Sequence, residues 1–429
     1  MKIRQLYELF LKNPTIITDS RKCLPFSIFF ALKGSNFNGN EYAAKAIENG
    51  CSFAIVDEEK YADESKGILL VENSLKTLQE LANYHRSQFK IPVIAITGTN
   101  GKTTTKELTA SVLSQTYNVL YTEGNLNNHI GVPLTLLRMN SKHEIAVIEM
   151  GANHIGEIAT LSKIADPNFG IITNIGYAHL EGFGSYDNIV KTKTELYGHI
   201  KNRKDGKIFL DHHNCELRRM SEGLTTIEYG TDDGLFVKGE TISCDPYLVF
   251  KWKFSKHPHI VNTRLIGEYN LSNALAAIAI GKYFGVKSSL ITKALEQYIP
   301  SNNRSQLKET AKNKLIIDAY NANPTSMMAA LNNLLQANLK PVAVILGDMY
   351  ELGENSQKEH QKIIDYIKDK PIDKAFLVGE NFKTTNSGLP SFRDVKEFDD
   401  FLLKNPLENY YILIKGSRGV DLEKCIDYL

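Results

Sequence analysis

Residues 91–107, IPVIAITGTNGKTTTKE, begin as an apolar run and end in a polar stretch that is compatible with a helix. The run 93–96 is typical of a buried strand, and two glycines follow it before Lys102. A glycine loop between a strand and a helix points its backbone N–H groups at phosphate oxygens, and Lys102 adds a positive charge. The hydroxyl of Thr103 is placed to bind the Mg²⁺ that accompanies a nucleotide. The segment therefore predicts nucleotide contacts by Gly98, Thr99, Asn100, Gly101, Lys102, Thr103 and Thr104.

This loop is shorter than an ordinary P-loop, which has four residues between its first glycine and Gly-Lys. Here only Thr99 and Asn100 separate Gly98 from the pair Gly101 and Lys102. A glycine turn before an ordinary helix would be the simpler interpretation, and it does not account for Gly-Lys-Thr-Thr-Thr after so apolar a strand. The loop T-G-T-N-G-K-T-T resembles that of the Mur ligase superfamily, which includes the folylpolyglutamate synthetases. The resemblance implies an enzyme that joins a carboxylate to an amine with ATP and Mg²⁺.

Composition limits the class of protein. A chain of 429 residues predicts two or three domains. With 42% hydrophobic and 23% charged residues, the chain is typical of a soluble enzyme, and a formal net charge of +1 provides no general attraction to nucleic acid or membranes. The five cysteines form no C-x-x-C pair, and no apolar run approaches the roughly 18 residues that span a bilayer. We therefore expect a cytoplasmic protein with no membrane insertion.

Residues 1–88 predict a small α/β domain with strands at 51–56 and 68–71 and helices at 43–49 and 75–85. Basic and hydroxyl groups beside glycine turns, in D-S-R (19–21) and F-F-A-L-K-G (29–34), suit a diphosphate or uridine ligand. They could instead form a salt bridge and a surface turn. Both segments resemble the UDP-binding domain of the Mur ligases that add D-alanyl-D-alanine. That resemblance implies substrate contacts by Ser20, Arg21, Lys33 and Gly34.

Residues 89–300 predict a mostly parallel sheet, because apolar strands alternate with helices. The expected strands are 118–122, 145–150 and 169–175, the expected helices are 130–138, 155–163 and 274–284, and 205–265 is β-rich. We expect Asn270 or Ser272 to cap the last of these helices. Ligands of such a sheet lie beyond the carboxyl ends of its strands.

Three ionisable groups in this region are candidates for chemistry. Glu149 ends an apolar strand and can reach a metal held by Thr103, although it could instead cap a helix. His179 alone is more often structural, and a lysine in K-T-K-T-E-L (191–196) is more often on a solvated helix face. In Mur ligases, however, the lysine of K-x-E-[IL] is carbamylated by CO₂ and helps to position a second Mg²⁺. The resemblance thus implies a catalytic set of Lys102, Glu149, His179 and carbamylated Lys193, with metal ligands Thr103, Glu149, His179 and Lys193.

Residues 301–429 predict a Rossmann-like unit with strands at 314–318, 342–347, 374–379 and 410–417, after a linker at 301–304. Its segments D-A-Y-N-A-N-P, L-G-D-M-x-E-L-G and K-G-S-R resemble the third domain of the same ligases. The resemblance implies ATP contacts by Asn273, Arg304, Asp318 and Tyr320, and substrate contacts by Asn127, Asn128, Lys415, Ser417 and Arg418.

We therefore predict an α/β protein of three domains: 1–88 for the UDP substrate, 89–300 for ATP, and a Rossmann-like domain at 301–429. The resemblance implies a monomeric ligase that adds D-alanyl-D-alanine to UDP-N-acetylmuramoyl-tripeptide through an acyl phosphate, in cytoplasmic synthesis of peptidoglycan precursors. Three further functions stay open. They are another Mur-type ligase or folylpolyglutamate synthetase, a P-loop ATPase that switches partner binding, and a small-molecule kinase.

Overall fold

The computed structural model describes residues 1–255, 257–301, 304–337 and 339–429. In these ranges the strands form three main sheets and a short hairpin of Lys33–Gly34 with Phe37–Asn38. We call the elements around the sheets the first unit (Ile3 to Ser87), the central unit (Val93 to Gln297) and the third unit (Gln306 to Tyr428). The α/β class is confirmed. The predicted linker at 301–304 includes Asn302 and Asn303, which lie outside the described residues.

The first unit is a parallel sheet, and the short apolar runs of its sequence form its buried strands. One hydrophobic cluster contains Leu6 and Ile28 of this unit together with Ile148 of the central unit, so the two units share a core. The strands follow the spatial order Thr15–Ile17, Ser27–Phe30, Phe53–Val56 and Ile68–Leu70. The helices are Ile3–Lys12, Ala43–Glu48 and Ser74–Ser87.

The central sheet places the phosphate-loop strand between two parallel neighbours. Strand Val93–Thr97 is buried at every position, as expected for a parallel sheet covered on both faces. Ile145–Glu149 lies on one side and Phe169–Ile172 on the other, so the carboxyl ends of all three strands meet at one edge. Beyond Ile145–Glu149, strand Val119–Tyr121 is the last strand on that side of the sheet. Beyond Phe169–Ile172, the strands follow in the order Lys207–Asp211, Thr226–Gly230, Val237–Cys244, Tyr247–Phe254 and His257–Ile266.

Helix Asn270–Tyr283 begins four residues earlier than predicted, and the predicted cap is wrong. Asn270 lies inside the helix and donates from Nδ2 to the carbonyl of Ile266 (2.8 Å). Ser272 donates to Asp211 Oδ2 (2.5 Å) instead of to its own backbone. Asn270 thus bonds to the end of the preceding strand and Ser272 to the end of another strand, so neither side chain caps the helix. The other helices of this unit are Lys102–Leu113, Gly131–Leu136, Glu157–Ala165, Leu180–Phe183, Tyr186–Lys201, Cys215–Met220 and Ser288–Gln297.

The third unit is a mostly parallel sheet with one antiparallel edge strand, Gln306–Glu309. From that edge the order continues with Lys314–Asp318, Tyr411–Lys415, Val342–Gly347, Lys374–Val378 and Ser391–Phe392. The helices are Pro324–Gln336, Ser356–Lys368, Glu380–Lys383 and Val395–Lys404. Of the helices in the described ranges, none is both long enough and apolar enough to cross a membrane.

Candidate active site

The phosphate loop (residues 98–101) joins the buried strand to helix Lys102–Leu113 through two glycines in the left-handed region. Gly98 has φ 139°, and a Cβ there would lie 2.1 Å from Thr173 Oγ1. Gly101 has φ 77° and forms the N-cap. Any other residue at these positions would be strained or would collide with the neighbouring strand end, so both glycines are required by the loop.

The end of the neighbouring strand holds this loop in place. Thr173 Oγ1 donates to the Asn100 carbonyl (2.6 Å), and the Asn100 N–H donates to Asn174 Oδ1 (3.0 Å). The Thr99 N–H donates to the Asn174 carbonyl (2.9 Å). The loop is therefore fixed before any ligand binds, which favours binding because little conformational entropy is lost.

Lys102 folds back over the loop, where its Nζ donates to the carbonyls of Gly98 (2.7 Å) and Thr99 (2.8 Å). Burial lowers its pKa to about 8, and the charge of Glu149 opposes that shift. A phosphate bound by the loop N–H groups would lie beside this amine. Its negative charge would raise the pKa of Lys102 again and so favour the charged amine.

Glu149 is only 1% exposed and lies against the start of the same helix. Its Oε1 accepts hydrogen bonds from Thr103 Oγ1 (3.1 Å) and Asn127 Nδ2 (2.8 Å). Its Oε2 is buried and accepts no hydrogen bond from the described residues, and Lys106 Nζ lies 3.9 Å away. A buried carboxylate oxygen without a donor, beside a hydroxyl, is a ligand set that suits Mg²⁺. These residues therefore fit the expected metal.

Lys193 is buried, with 2% of its surface exposed. Its Nζ donates to the Ala152 carbonyl (3.3 Å) and lies 5.6 Å from the centre of the Phe183 ring. Within the described ranges, no carboxylate lies within 4.0 Å of this amine. Burial, and after it the charge of Lys102, lowers the pKa of Lys193 to about 7. A buried lysine without a carboxylate partner is expected to be uncharged for much of the time.

His179 joins the central unit to the third unit. Its imidazole Nδ1 is in contact with Glu351 Oε2, and the hydrogen bond with His179 lowers the pKa of the Glu351 carboxyl. The Phe183 ring centre is 6.4 Å from that of His179, so Lys193 and His179 lie around the same aromatic ring. This part of the site depends on contact between the units.

Further groups from the third unit, and Arg304 just before it, face the phosphate loop. Asn323 Nδ2 donates to Asn100 Oδ1 (2.9 Å). The guanidinium of Arg304 lies 3.7 Å from the centre of the Tyr320 ring, which is a cation–π distance. The strands and helices of two units thus bring polar side chains to one place.

These groups surround a cavity of about 1090 Å³, above the usual upper size of a single small-molecule pocket. Its volume suits a nucleotide together with part of a second substrate. The predicted residues that line it are Thr99, Asn100, Gly101, Lys102, Thr103, Thr104, Asn127, Asn128, Glu149, His179, Asn273, Arg304, Asp318, Tyr320 and Lys415. The predicted residues outside its lining are Gly98, Lys193, Ser20, Arg21, Lys33, Gly34, Ser417 and Arg418.

The basic candidates of the first unit are paired with carboxylates. Arg21 is 87% exposed and binds Asp19 (2.8 Å). Lys33 binds Asp57 (2.9 Å) and Glu58 (3.0 Å). These salt bridges agree with the simpler alternative, in which the residues have a structural role and bind no ligand. The UDP contacts at Ser20, Arg21, Lys33 and Gly34 therefore stay predictions.

Lys415, predicted to contact substrate, is 1% exposed and binds Asp318 Oδ2 (2.6 Å). Lys415→Met should lower the free energy of unfolding by about 3–5 kcal/mol, because it leaves a partly buried carboxylate without its cation. Denaturant unfolding measures the loss. Lys424→Met is the matched control, since its pair with Asp421 has the same 2.6 Å separation but is exposed, and its loss should lower the free energy of unfolding far less. Equal losses in the two variants would contradict this interpretation.

Sequence reasoning missed several residues that hold the site together. Lys106 beside Glu149, Asn174 beside the loop, and Asn323 and Glu351 of the third unit each lie in a predicted element or motif, but the sequence predicted no role for them. Their partners are distant in the chain. The one signal in the sequence was that Asn323 lies in D-A-Y-N-A-N-P and Glu351 in L-G-D-M-x-E-L-G.

Comparison with known proteins identifies the family. Three family models match in order: "Mur ligase family, catalytic domain" at 15–86, "Mur ligase middle domain" at 96–281 and "Mur ligase, glutamate ligase domain" at 303–417. The chain is 35% identical to the UDP-N-acetylmuramoyl-tripeptide–D-alanyl-D-alanine ligase of Haemophilus influenzae, over 96% of this chain and 92% of that protein.

Two solved structures share the fold over nearly the whole chain. The crystal structure of MurF from Acinetobacter baumannii superimposes with a TM-score of 0.89 at 33% identity, covering 99% of this chain and 98% of that one. MurF ligase from Thermotoga maritima, solved in complex with ADP, superimposes with a TM-score of 0.85 at 25% identity, covering 97% of each chain. The resemblance noted in the sequence is thereby confirmed, and the chain belongs to the Mur ligase family.

Proposed function

We propose that this chain joins the terminal carboxylate of a UDP-N-acetylmuramoyl-tripeptide to the amine of D-alanyl-D-alanine, converting ATP to ADP and phosphate. The observation that carries the proposal is the cavity in which the phosphate loop, Glu149 and groups of the third unit come together. The relatives with this name support the choice of substrates. The reaction belongs to peptidoglycan precursor synthesis in the cytoplasm, and we propose a monomeric enzyme with domains at 1–88, 89–300 and 301–429.

A carboxylate does not condense with an amine in water unaided, so it must first be activated. The tripeptide carboxylate attacks the γ-phosphorus of ATP, forming an acyl phosphate and releasing ADP. The amine of D-alanyl-D-alanine then attacks the acyl carbon, and phosphate leaves. The work of the protein is positioning and neutralisation of charge, with the loop N–H groups and Lys102 at the β- and γ-phosphates.

Thr103 and Glu149 would hold one Mg²⁺, and His179 with carbamylated Lys193 would hold another. Bound there, the ions neutralise phosphate charge and orient the carboxylate. Carbamylation forms a bond between the Lys193 nitrogen and CO₂ with release of a proton, and it needs the neutral amine. Burial without a carboxylate partner and a pKa lowered to about 7 support this modification.

The remaining candidates keep their proposed roles, except Lys415 and Ser417. Asn127 and Asn128 would face the junction of substrate and ATP, and Arg418 the peptide end. For Lys415 and Ser417, the buried ion pair and the hydrogen bond to the Tyr350 N–H (2.9 Å) favour a supporting role over direct contact. The proposed ATP contacts beyond the loop are Asn273, Arg304, Asp318 and Tyr320, and the proposed UDP contacts are Ser20, Arg21, Lys33 and Gly34.

The deciding experiment measures phosphate release by the purified protein with Mg·ATP and UDP-N-acetylmuramoyl-tripeptide, with and without D-alanyl-D-alanine. Mass spectrometry of the same samples identifies the product. Release that requires both substrates, with the pentapeptide product, is expected. Release without any need for the dipeptide and without a new amide would refute the proposal and favour a switch ATPase.

A kinase or a different ligase of the superfamily would each leave its own product. A stable phosphorylated compound would indicate a kinase. An amide formed with a single amino acid, or with glutamate on folate, would indicate a different member of the superfamily. Substrate panels containing these acceptors therefore separate all the candidates in one set of reactions.

ATP binding should take up protons near pH 8. Lys102 of the free protein is about half protonated there, because its pKa is lowered to about 8. Phosphate oxygens favour the charged amine and raise its pKa, so binding of Mg·ATP at pH 8 should take up about half a proton. For the same reason the affinity for ATP should fall as the pH rises above 8. Titration calorimetry in buffers of different ionisation enthalpy measures the uptake.

The matched variant for this measurement is Lys102→Met, which keeps the length of the side chain but cannot be protonated. Mg·ATP itself does not titrate appreciably at this pH, so the difference between the two proteins reports on Lys102. Equal proton uptake by both would show that the lysine does not change its protonation on binding.

A further inference from the structure

A histidine of the central unit, His179, meets a glutamate of the third unit, Glu351. His179 Nδ1 contacts Glu351 Oε2 across the boundary of the central and third units. The N–H of Glu181 also donates to the Glu351 carbonyl (3.2 Å), so backbone and side chain meet at the same point. This contact is therefore more than a chance approach of two surface side chains.

Both residues have the left-handed backbone conformation, with φ 53° at His179 and φ 62° at Glu351. For residues with a side chain, this conformation costs about 1 kcal/mol or more and persists only where the surroundings impose it. Both residues of the contact are thus held in an unusual backbone conformation.

The choice of ring nitrogen has a chemical consequence. A histidine that binds a metal through one nitrogen usually donates its other N–H to a carboxylate or carbonyl, which fixes the tautomer and the orientation of the ring. With Nδ1 turned to Glu351, Nε2 is left for a ligand, and His179 lines the cavity. Here the orienting carboxylate comes from a different unit.

We propose that Glu351 is a positioning residue that orients His179 for the second Mg²⁺, so that docking of the third unit completes this metal site. The proposal rests on the proposed function, in which His179 is a ligand of that ion. A second contact supports the coupling, because Asn323 of the same unit donates to Asn100 of the phosphate loop (2.9 Å). The third unit thereby touches both the nucleotide loop and the second metal site.

The test counts bound Mn²⁺, which reports on the site without turnover. Electron paramagnetic resonance follows Mn²⁺ binding to the protein with β,γ-methylene-ATP and bicarbonate. Wild type should bind two ions, and Glu351→Ala should weaken the second by about 10- to 100-fold, the usual effect of losing the partner of a metal ligand. Glu351→Gln, which keeps an acceptor without charge, should lie between them.

Glu354→Ala is the matched control, since Glu354 is an exposed glutamate in the same loop. It should bind both ions as wild type does. Circular dichroism establishes that each variant is folded, and Glu351→Gln replaces Glu351→Ala if the latter does not fold.

Three results would overturn the proposal. The first is a second ion bound by Glu351→Ala with wild-type affinity, and the second is no second ion in wild type. The third is equal weakening of both ions and of the ATP analogue, since that would make Glu351 a general contact between units. Failure of the proposed function is a separate result, because it would appear as no amide product from the wild-type protein.

Discussion

Lys102→Ala is expected to lower turnover by about 10²–10³-fold or more, the range for removal of a single charge-stabilising group. In the ligand-free protein the Lys102 amine donates to the carbonyls of Gly98 and Thr99, at the rim of the phosphate loop. From there it can reach the β,γ-bridge of ATP, where negative charge develops as the phosphoryl group is transferred. Steady-state phosphate release with product analysis by mass spectrometry measures the loss.

The pattern of kinetic constants separates two roles of this lysine. A lysine that only binds ATP would raise KM and leave kcat unchanged. A lysine that stabilises the transferring group would lower kcat at saturating ATP, and we expect this second pattern. The exposed Lys90, which lies just before the same strand, provides the control variant Lys90→Ala. Near wild-type turnover in Lys102→Ala would contradict the proposed role of the loop.

The sequence predicted the buried strands well, and the reason is local. Strand Val342–Gly347 has the predicted limits, and Ile145–Glu149 differs by one residue, because strands buried on both faces are continuous apolar runs. The loop could also be predicted, since glycine, lysine and threonine at that spacing are compatible with few other structures. These features depend on neighbours in the chain.

Features that depend on distant partners could not be predicted in the same way. Ser272 has the side chain of a helix cap, yet it donates to Asp211 on another strand. Lys415 lies in a motif that suggested substrate contact, and the structure pairs it with Asp318. The preference of a side chain for a helix cap or a binding motif describes the residue alone. In these cases a partner from another strand determines which contact the side chain makes.

The same limit applies to the candidate site. Glu149 was identified from its place at a strand end, but its partners Thr103 and Asn127 come from other elements. The contact of His179 with Glu351 joins two units and has no local signal. The sequence thus predicted Glu149 and His179 as candidates, but it could not predict that Glu351 contacts His179.

Lys193→Met is expected to lower turnover on the order of 10²–10³-fold, the other large effect in this protein. The variant keeps the length and apolar character of the side chain, so the buried helix face that includes Leu196 and Ile200 should stay packed. It removes the amine that CO₂ must modify. If the carbamate provides an anion to the second metal site, its loss would leave His179 as the one proposed protein ligand of that ion.

The modification itself can be observed directly. Wild-type protein equilibrated with ¹³C-bicarbonate should show a carbamate signal by ¹³C NMR, and the signal should be missing from Lys193→Met. Removal of CO₂ should lower the activity of wild type, and bicarbonate should restore it. The variant should respond to neither change.

Lys191→Met is the control that makes the test specific. Lys191 lies two residues earlier in the same helix, in the same K-T-K-T-E-L segment, but it is exposed where Lys193 is buried. Because Lys191 is exposed and lies outside the buried site, Lys191→Met should retain both the carbamate signal and the activity. Two results would contradict the carbamylation of Lys193: a ¹³C carbamate signal that persists in Lys193→Met, or full activity of the wild type without CO₂. The second metal site would then need a different anion.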